Sequence, residues 1–292
     1  MSGSLNFATP TALEYFAALV AEDASFPVME AAICVAQDDN PQLDPQGVLA
    51  QIDELAQRIT QRLPRDAAPL QRVRLLHTFF FHELGFAGNV NDYSDRRNSH
   101  IHEVLKTRRG IPITLAILYV EIANQIGLVA SGVSFPGHFL VKLSLPRGEV
   151  ILDPFSGHSL SRDQLEDRLA PFRRLNGLTG DDEVPLGLYL QSAAPRDVIT
   201  RLLRNLKELH RRAGDARRLL AVLNRLVVLL PRAWEERRDR ALLFAELGQW
   251  RDAADEMTLY LQHRPDAADA SRMRQQCMNW QSQAARSGGR LQ

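Results

Sequence analysis

Arg109-Gly110-Ile111-Pro112-Ile113-Thr114-Leu115-Ala116-Ile117-Leu118-Tyr119-Val120 carries a proline at the entrance of an apolar run. Proline suits the first helical position, where its missing N–H would be unpaired in any case. Ile113, Ala116, Ile117, Val120, Ile122 and Ala123 fall on one side of the helix that follows, and Gly127 stops it. After Val129 the hydrophobic period changes to two. Val133-Ser134-Phe135, His138 to Leu143 and Val150 to Asp153 read as three short strands. Pro146-Arg147-Gly148 is a turn, so the last two strands form an antiparallel hairpin. A buried helix feeding a small antiparallel sheet sets the core as α+β.

Upstream the chain reads as helical. Thr11 to Glu22, a helix opened by Pro27, Gln46 to Leu63, and a helix begun at Pro69 and stopped at Gly85 each show one apolar face. Gly88 to Asn98 is a polar connection. Asn98 or Ser99 caps a short helix with Glu103 inside it, and Gly110 ends that helix. Downstream, Ser161-Arg162-Asp163-Gln164 begins another helix, and Asp181 to Pro195 is an irregular connector. The domain boundary is placed there: a core domain over 1–190 and a helical domain over 191–292.

The C-terminal third repeats. Gly214 and Gly248 stand 34 residues apart, and so do Pro231 and Pro265. Helices are expected over Val198–Arg212, Asp215–Leu230, Trp234–Leu247, Gln249–Arg264 and Asp269–Ala284. A 34-residue period of paired helices resembles the tetratricopeptide repeat, in which glycine makes the tight turn and small alanines let helices approach. Ala245, Gly248, Trp250, Ala253-Ala254, Tyr260, Leu261 and Pro265 carry the better copy.

Bulk composition narrows the class. Lys+Arg and Asp+Glu balance at 35 each, which gives no electrostatic ground for nucleic acid or an anionic membrane as partner. Two distant cysteines, Cys34 and Cys277, suit a reducing cytoplasm. Neither a signal peptide nor a membrane span is legible. A cytoplasmic protein is expected. His100 and His102 point apart on a helix, and His77 and His82, five apart, make a poor pair. No metal and no cofactor is expected.

Three fragments carry the candidate chemistry: Arg108-Arg109-Gly110-Ile111-Pro112, Phe135-Pro136-Gly137-His138-Phe139-Leu140 and Ile151-Leu152-Asp153-Pro154-Phe155. Papain-like catalysis needs a thiolate at a helix N-terminus, a histidine on a neighbouring strand, and an Asp or Asn that holds the imidazole's tautomer. Taken singly, His138 reads as a core histidine and Asp153 as a turn former. In this order, downstream of this helix, the fragments resemble the transglutaminase-like family. That resemblance makes His138 and Asp153 the inherited pair and places the nucleophile at Pro112, counted from Ala116 and Gly127-Leu128. Proline cannot attack a carbonyl, and it has no N–H for an oxyanion. Thr114, two residues on, turns by about 200° away from His138. Cys34, among Ala31-Ala32-Ile33 and Val35-Ala36, reads as a packed interior thiol.

Over nearly its whole length the chain also resembles the bacterial invasion-regulator SirB family. Asn98-Ser99, Glu103-Val104-Leu105, Arg108 to Ile113, Gly137-His138-Phe139, Leu152-Asp153-Pro154-Phe155, Arg204-Asn205-Leu206-Lys207 and Arg238 to Leu243 carry that likeness. It implies a transglutaminase-like core followed by tetratricopeptide-like helices. The expected function is a non-catalytic interaction or regulatory module that binds a protein or peptide, with the repeats as a second surface. The alternative is a hydrolase or acyl transferase using His138 and Asp153 with Cys34, Thr114 or water. Arg109, Thr114, Phe135 and Trp250 are the binding candidates. Arg108-Arg109 beside the helix start makes either an anion pocket or capping and salt-bridge contacts.

Overall fold

The computed structural model describes residues 10–22, 26–178, 180 and 184–288. Asp181–Glu183, at the head of the expected connector, lie outside them. Two compact units are present. One runs from Glu22 to Leu202, and the other joins the residues up to Ala21 with those from Leu203 onward.

Helix α1 (Ala12–Leu19) belongs to the second unit and opens on a capping box between Thr11 and Glu14. The first unit begins with α2 (Val28–Val35), α3 (Pro45–Thr60) and α4 (Pro69–His77). Pro45 and Pro69 both occupy first-turn positions, as their missing N–H allows. From Thr78 to Glu83 the helix widens into a π-helix before Gly85. A parallel pair, β1 (Ala87–Gly88) and β2 (Arg109–Gly110), brackets α5 (Ile101–Thr107). Then come α6 (Pro112–Gln125) and a four-stranded antiparallel sheet in chain order: β3 (Val129–Val133), β4 (Leu140–Leu145), β5 (Gly148–Asp153) and β6 (His158–Ser159). Helices α7 (Arg162–Leu175, capped by Ser161 with Gln164) and α8 (Leu186–Tyr189) follow. Helix α9 (Pro195–Ala213) crosses the division between the units.

The sheet lies between two helical layers. Val133, Phe135, Leu140 and Ile151 pack with Leu165 and Leu169 of α7 and with Leu186. Phe139 turns the other way and joins Ala116, Ile117 and Val120 of α6 around a cavity of about 240 Å³. Gly132 leaves room for the Phe139 ring; a β-carbon there would come within 2.7 Å of it. Strand alternation thus sends neighbouring residues to opposite layers.

Four local expectations are revised. Asn98 and Ser99 do not cap α5: they end a 3₁₀ turn (Arg96–Ser99), and His100 precedes the helix without a side-chain cap. The Asn98 side chain is committed elsewhere: its oxygen, which would cap, accepts from the Asn89 amide at 3.1 Å, and its nitrogen donates to the Asp92 and Tyr93 carbonyls at 2.8 and 3.3 Å. Gly110 does not end α5. The chain turns at Arg108, in the left-handed region at φ 59°, and Gly110 pairs in β2. Strand β3 is Val129–Val133, earlier than read, and β4 begins at Leu140, two residues after His138. Pro136-Gly137 makes a tight turn there, closed by the His138 N–H on the Phe135 carbonyl at 3.0 Å, with Gly137 at φ 73°.

In the second unit α10 (Ala216–Leu229), α11 (Trp234–Glu246), α12 (Trp250–His263) and α13 (Ala270–Gly288) follow α9 as antiparallel neighbours. These bounds lie within a few residues of the expected repeat. Ala241, Ala253, Ala254, Met257, Tyr260, Met273, Cys277 and Trp280 form its core. Helix α1 packs on α10 and sets Phe16 4.9 Å from the guanidinium of Arg225, a fully buried residue. Lys207 bridges Glu236 and Asp239, Arg211 reaches Asp239 at 2.9 Å, and Arg238 reaches Asp269 at 2.9 Å. The Arg204–Lys207 and Arg238–Leu243 stretches of the sequence therefore meet as an ion-pair ladder. All three tryptophans, Trp234, Trp250 and Trp280, lie in this unit.

Candidate functional site

Pro112 is the first residue of α6, as its chemistry requires. Thr114 is fully buried. Its hydroxyl lies 2.7 Å from the Asn98 carbonyl and 3.0 Å from that of Ile111, and it accepts from the Ile111 N–H at 3.2 Å. The group is a helix cap tied to the preceding loop, and substrate cannot reach it. Asn98 extends the tie, since its side-chain oxygen accepts from the Asn89 amide at 3.1 Å. Arg109 is exposed and donates to the Gly85 carbonyl at 2.7 Å and to the Arg108 carbonyl at 2.9 Å. Both contacts are to backbone carbonyls, as in a cap.

The Asp153 corner docks against the entrance of α6. Gly88 pairs with Gly110, two residues before Pro112, and the Gly88 N–H donates to the Phe155 carbonyl at 2.9 Å. The Phe155 ring covers Gly88 so closely that a β-carbon there would meet it at 2.3 Å. Tyr93, on the loop that Asn98 holds, stands 6.0 Å from the same ring and is more than half exposed. The fold therefore gathers the first and third sequence fragments.

His138 and Asp153 come close, but no hydrogen bond joins them. Asp153 ends β5 and is buried. One oxygen, Oδ2, accepts from both terminal nitrogens of Arg168 at 3.2 Å, and the other accepts from the Phe155 N–H at 3.0 Å. Arg168 comes from α7, which covers the face of the sheet that Ile151 and Asp153 share. Burial holds the His138 imidazole below its ordinary pKa. Arg168 depresses it further, Asp153 opposes, and Arg201 adds to the depression. These influences favour the neutral imidazole, beside a carboxylate that a guanidinium holds.

Of the remaining candidates, Cys34 is buried in α2 and Cys277 lies in α13 of the other unit. Phe135 is a core residue of the α7 layer, and Trp250 packs its partly buried ring on the α12–α13 core. His77 and His82 do meet, with ring centroids 5.6 Å apart. The π-helix explains this, because its wider turn brings i and i+5 onto one face. Among the described residues no three His, Cys, Asp or Glu side chains are placed to hold a metal ion. The partner of Asp153 that the sequence does not announce is Arg168. One signal pointed to it: it sits three residues after Leu165 and one before Leu169, both facing the sheet.

A family model described as "Transglutaminase-like superfamily" matches residues 46–204, and one described as "Tetratricopeptide repeat" matches 206–278. A UPF0162 protein of Xylella fastidiosa is 33% identical over 258 residues, which cover 87% of this chain and 89% of that one. A UPF0162 protein of Pseudomonas aeruginosa is 30% identical over 221 residues, 75% and 78% of the two chains. The UPF0162 protein YchA of Escherichia coli is 26% identical over 246 residues, 82% and 87%. No solved structure matches the chain. No helix among the described residues is long and apolar enough to cross a membrane.

Proposed function

Because the chain belongs to the transglutaminase-like superfamily and to the UPF0162 proteins, we propose that it is a non-catalytic transglutaminase-like module that binds a protein or peptide. The observation that carries this reading is the state of the site. Proline fills the helix start, the Thr114 hydroxyl caps backbone, and the Asp153 carboxylate is held by Arg168. The inherited parts serve structure, and the surface around the α6 entrance, with Tyr93 and Phe155, serves recognition. The tetratricopeptide repeats, whose stacked helices generally mediate protein–protein contacts, supply the second surface. Within the family we read the chain as SirB-like, a cytoplasmic regulator, on the Arg108–Ile113 and Gly137-His138-Phe139 signatures.

The test is chemical. A cysteine-directed activity probe added to the purified protein at pH 7 leaves it unlabelled over the minutes in which an active thiolate reacts. Rapid labelling of Cys34 that disappears in His138→Ala would overturn the reading in favour of a hydrolase or acyl transferase.

A further inference from the structure

The β4–β5 hairpin leaves part of its backbone open. Its two-residue turn, Pro146-Arg147, sets the register Leu145↔Gly148, Ser144↔Glu149, Leu143↔Val150 and Lys142↔Ile151. In an antiparallel ladder alternate residues aim N–H and C=O at the partner strand, and the residues between aim them outward. The Ile151 carbonyl accepts from the Leu160 N–H at 2.8 Å, and the Asp153 carbonyl from the Gly157 N–H at 2.8 Å. Glu149, Ile151 and Asp153 are therefore the outward set. Strand β6 covers only Leu152 and Asp153. The outward N–H and C=O of Glu149 and the N–H of Ile151 have no backbone partner among the described residues.

Beside this open edge lies a cavity of about 500 Å³. Leu160, Leu165, Leu186 and Leu190 wall it, and the exposed Gly187 and Arg162 stand at its mouth. Leu188, 56% exposed, continues the apolar surface outward. The Glu149 carboxylate lies 3.6 Å from Lys142, whereas no carboxylate among the described residues pairs with Arg162. Among the described residues, open strand polarity, an apolar hole beside it and a cation without a carboxylate partner together specify an occupant.

We propose that this edge captures an extended peptide segment of a partner protein by strand addition, with a leucine-sized side chain in the cavity and an acidic residue facing Arg162. A strand rises about 3.3 Å per residue, so the outward groups of Glu149 and Ile151 stand about 7 Å apart. A segment of about four residues satisfies them and places one side chain over the hole. The surface is separate from the α6 entrance and stands whatever occupies that entrance.

Two substitutions block it without touching the core. Glu149→Pro removes an outward N–H and leaves the ladder to β4 intact, a placement edge strands accept. Gly187→Trp fills the mouth; a β-carbon at Gly187 meets nothing within 4 Å. A random octapeptide phage library is selected on the full chain, and the enriched peptides are measured as synthetic fluorescein conjugates by anisotropy. The expected peptides carry alternating aliphatic residues and an acid. Their affinity falls at least about tenfold in both variants, and Arg162→Glu weakens them more at low salt than at high. Amide exchange at Glu149 and Ile151 slows when they bind. The proposal is overturned if no peptide is enriched over the Gly187→Trp protein, or if both variants bind the peptides unchanged. It is also overturned if the bound peptides are helical, or if the edge instead pairs two copies of this chain, seen as a wild-type dimer that Glu149→Pro dissociates. Melting curves of both variants confirm folding, and should Glu149→Pro unfold, Gly187→Trp alone decides.

Discussion

Replacing Arg168 with Met separates two accounts of the site, one built on a His138–Asp153 pair and one on an Arg168–Asp153 pair. The substitution removes two contacts of 3.2 Å to a single carboxylate oxygen. The Asp153 side chain is 11% exposed and that of Arg168 29%, so the pair lies between the two familiar limits. Breaking a fully buried pair costs about 3–5 kcal/mol, while exposed pairs contribute about 0–1. Asp153 keeps its bond from the Phe155 N–H, which softens the loss. A destabilisation of about 2 kcal/mol follows for Arg168→Met. Asp153→Asn costs less, about 1 kcal/mol, because the freed guanidinium reaches water. In the double mutant the costs do not add, and the cycle gives a coupling of about 1–2 kcal/mol. The matching cycle between His138→Gln and Asp153→Asn gives under about 0.5 kcal/mol, since no hydrogen bond joins those side chains. Urea unfolding at pH 7.5 followed by far-UV circular dichroism is the assay; tryptophan emission is unsuitable, because all three indoles belong to the repeat unit. A coupling above about 1 kcal/mol for the histidine cycle with a near-zero arginine cycle would refute the reasoning.

Two further outcomes are expected. Thr114→Ala costs about 1–2 kcal/mol of stability, because it strips the cap from α6 and the tie to Asn98, whereas Thr114→Ser retains most of it; urea midpoints of the pair check this. The depressed His138 pKa means that the unfolded chain binds its proton more readily than the folded one. Stability from this group is present above the ordinary histidine value near 6.5 and is lost as pH falls through the lower folded value. Stability measured from pH 7.5 down to pH 5 should therefore decline less steeply in His138→Gln than in the wild type, and parallel declines would show that His138 does not contribute.

The sequence made the elements legible wherever a local signal fixes them. Pro69, Pro112 and Ser161 announce helix starts through backbone chemistry that needs no tertiary partner. The repeat helices were readable because glycine and proline landmarks recur at a fixed spacing. The β4–β5 hairpin followed from its turn. What stayed hidden depends on contacts between distant residues. Nothing near Arg168 says that a strand ending in Asp153 will lie beneath α7. Asn98 has good capping chemistry, but its side-chain oxygen, the atom a cap uses, accepts from the Asn89 amide instead. Arg108 occupies a left-handed position that residue type alone assigns to glycine, with its guanidinium 4.7 Å from the ring of Phe86. The widened turn at Thr78–Glu83 has no sequence signature, so the meeting of His77 and His82 was counted out by ordinary helical spacing.

On the non-catalytic reading proposed above, the guanidinium of Arg168 has a consequence for anyone who would give this scaffold an activity. Exchanging Pro112 for cysteine sets a sulfur in the favourable field of the α6 terminus. The His138 imidazole would still lack its steering carboxylate, which Arg168 of α7 holds. Revival is therefore a two-lock problem, and the second key, removal of Arg168, loosens the very corner that positions Asp153. A lone thiol graft should yield a modifiable side chain and no turnover.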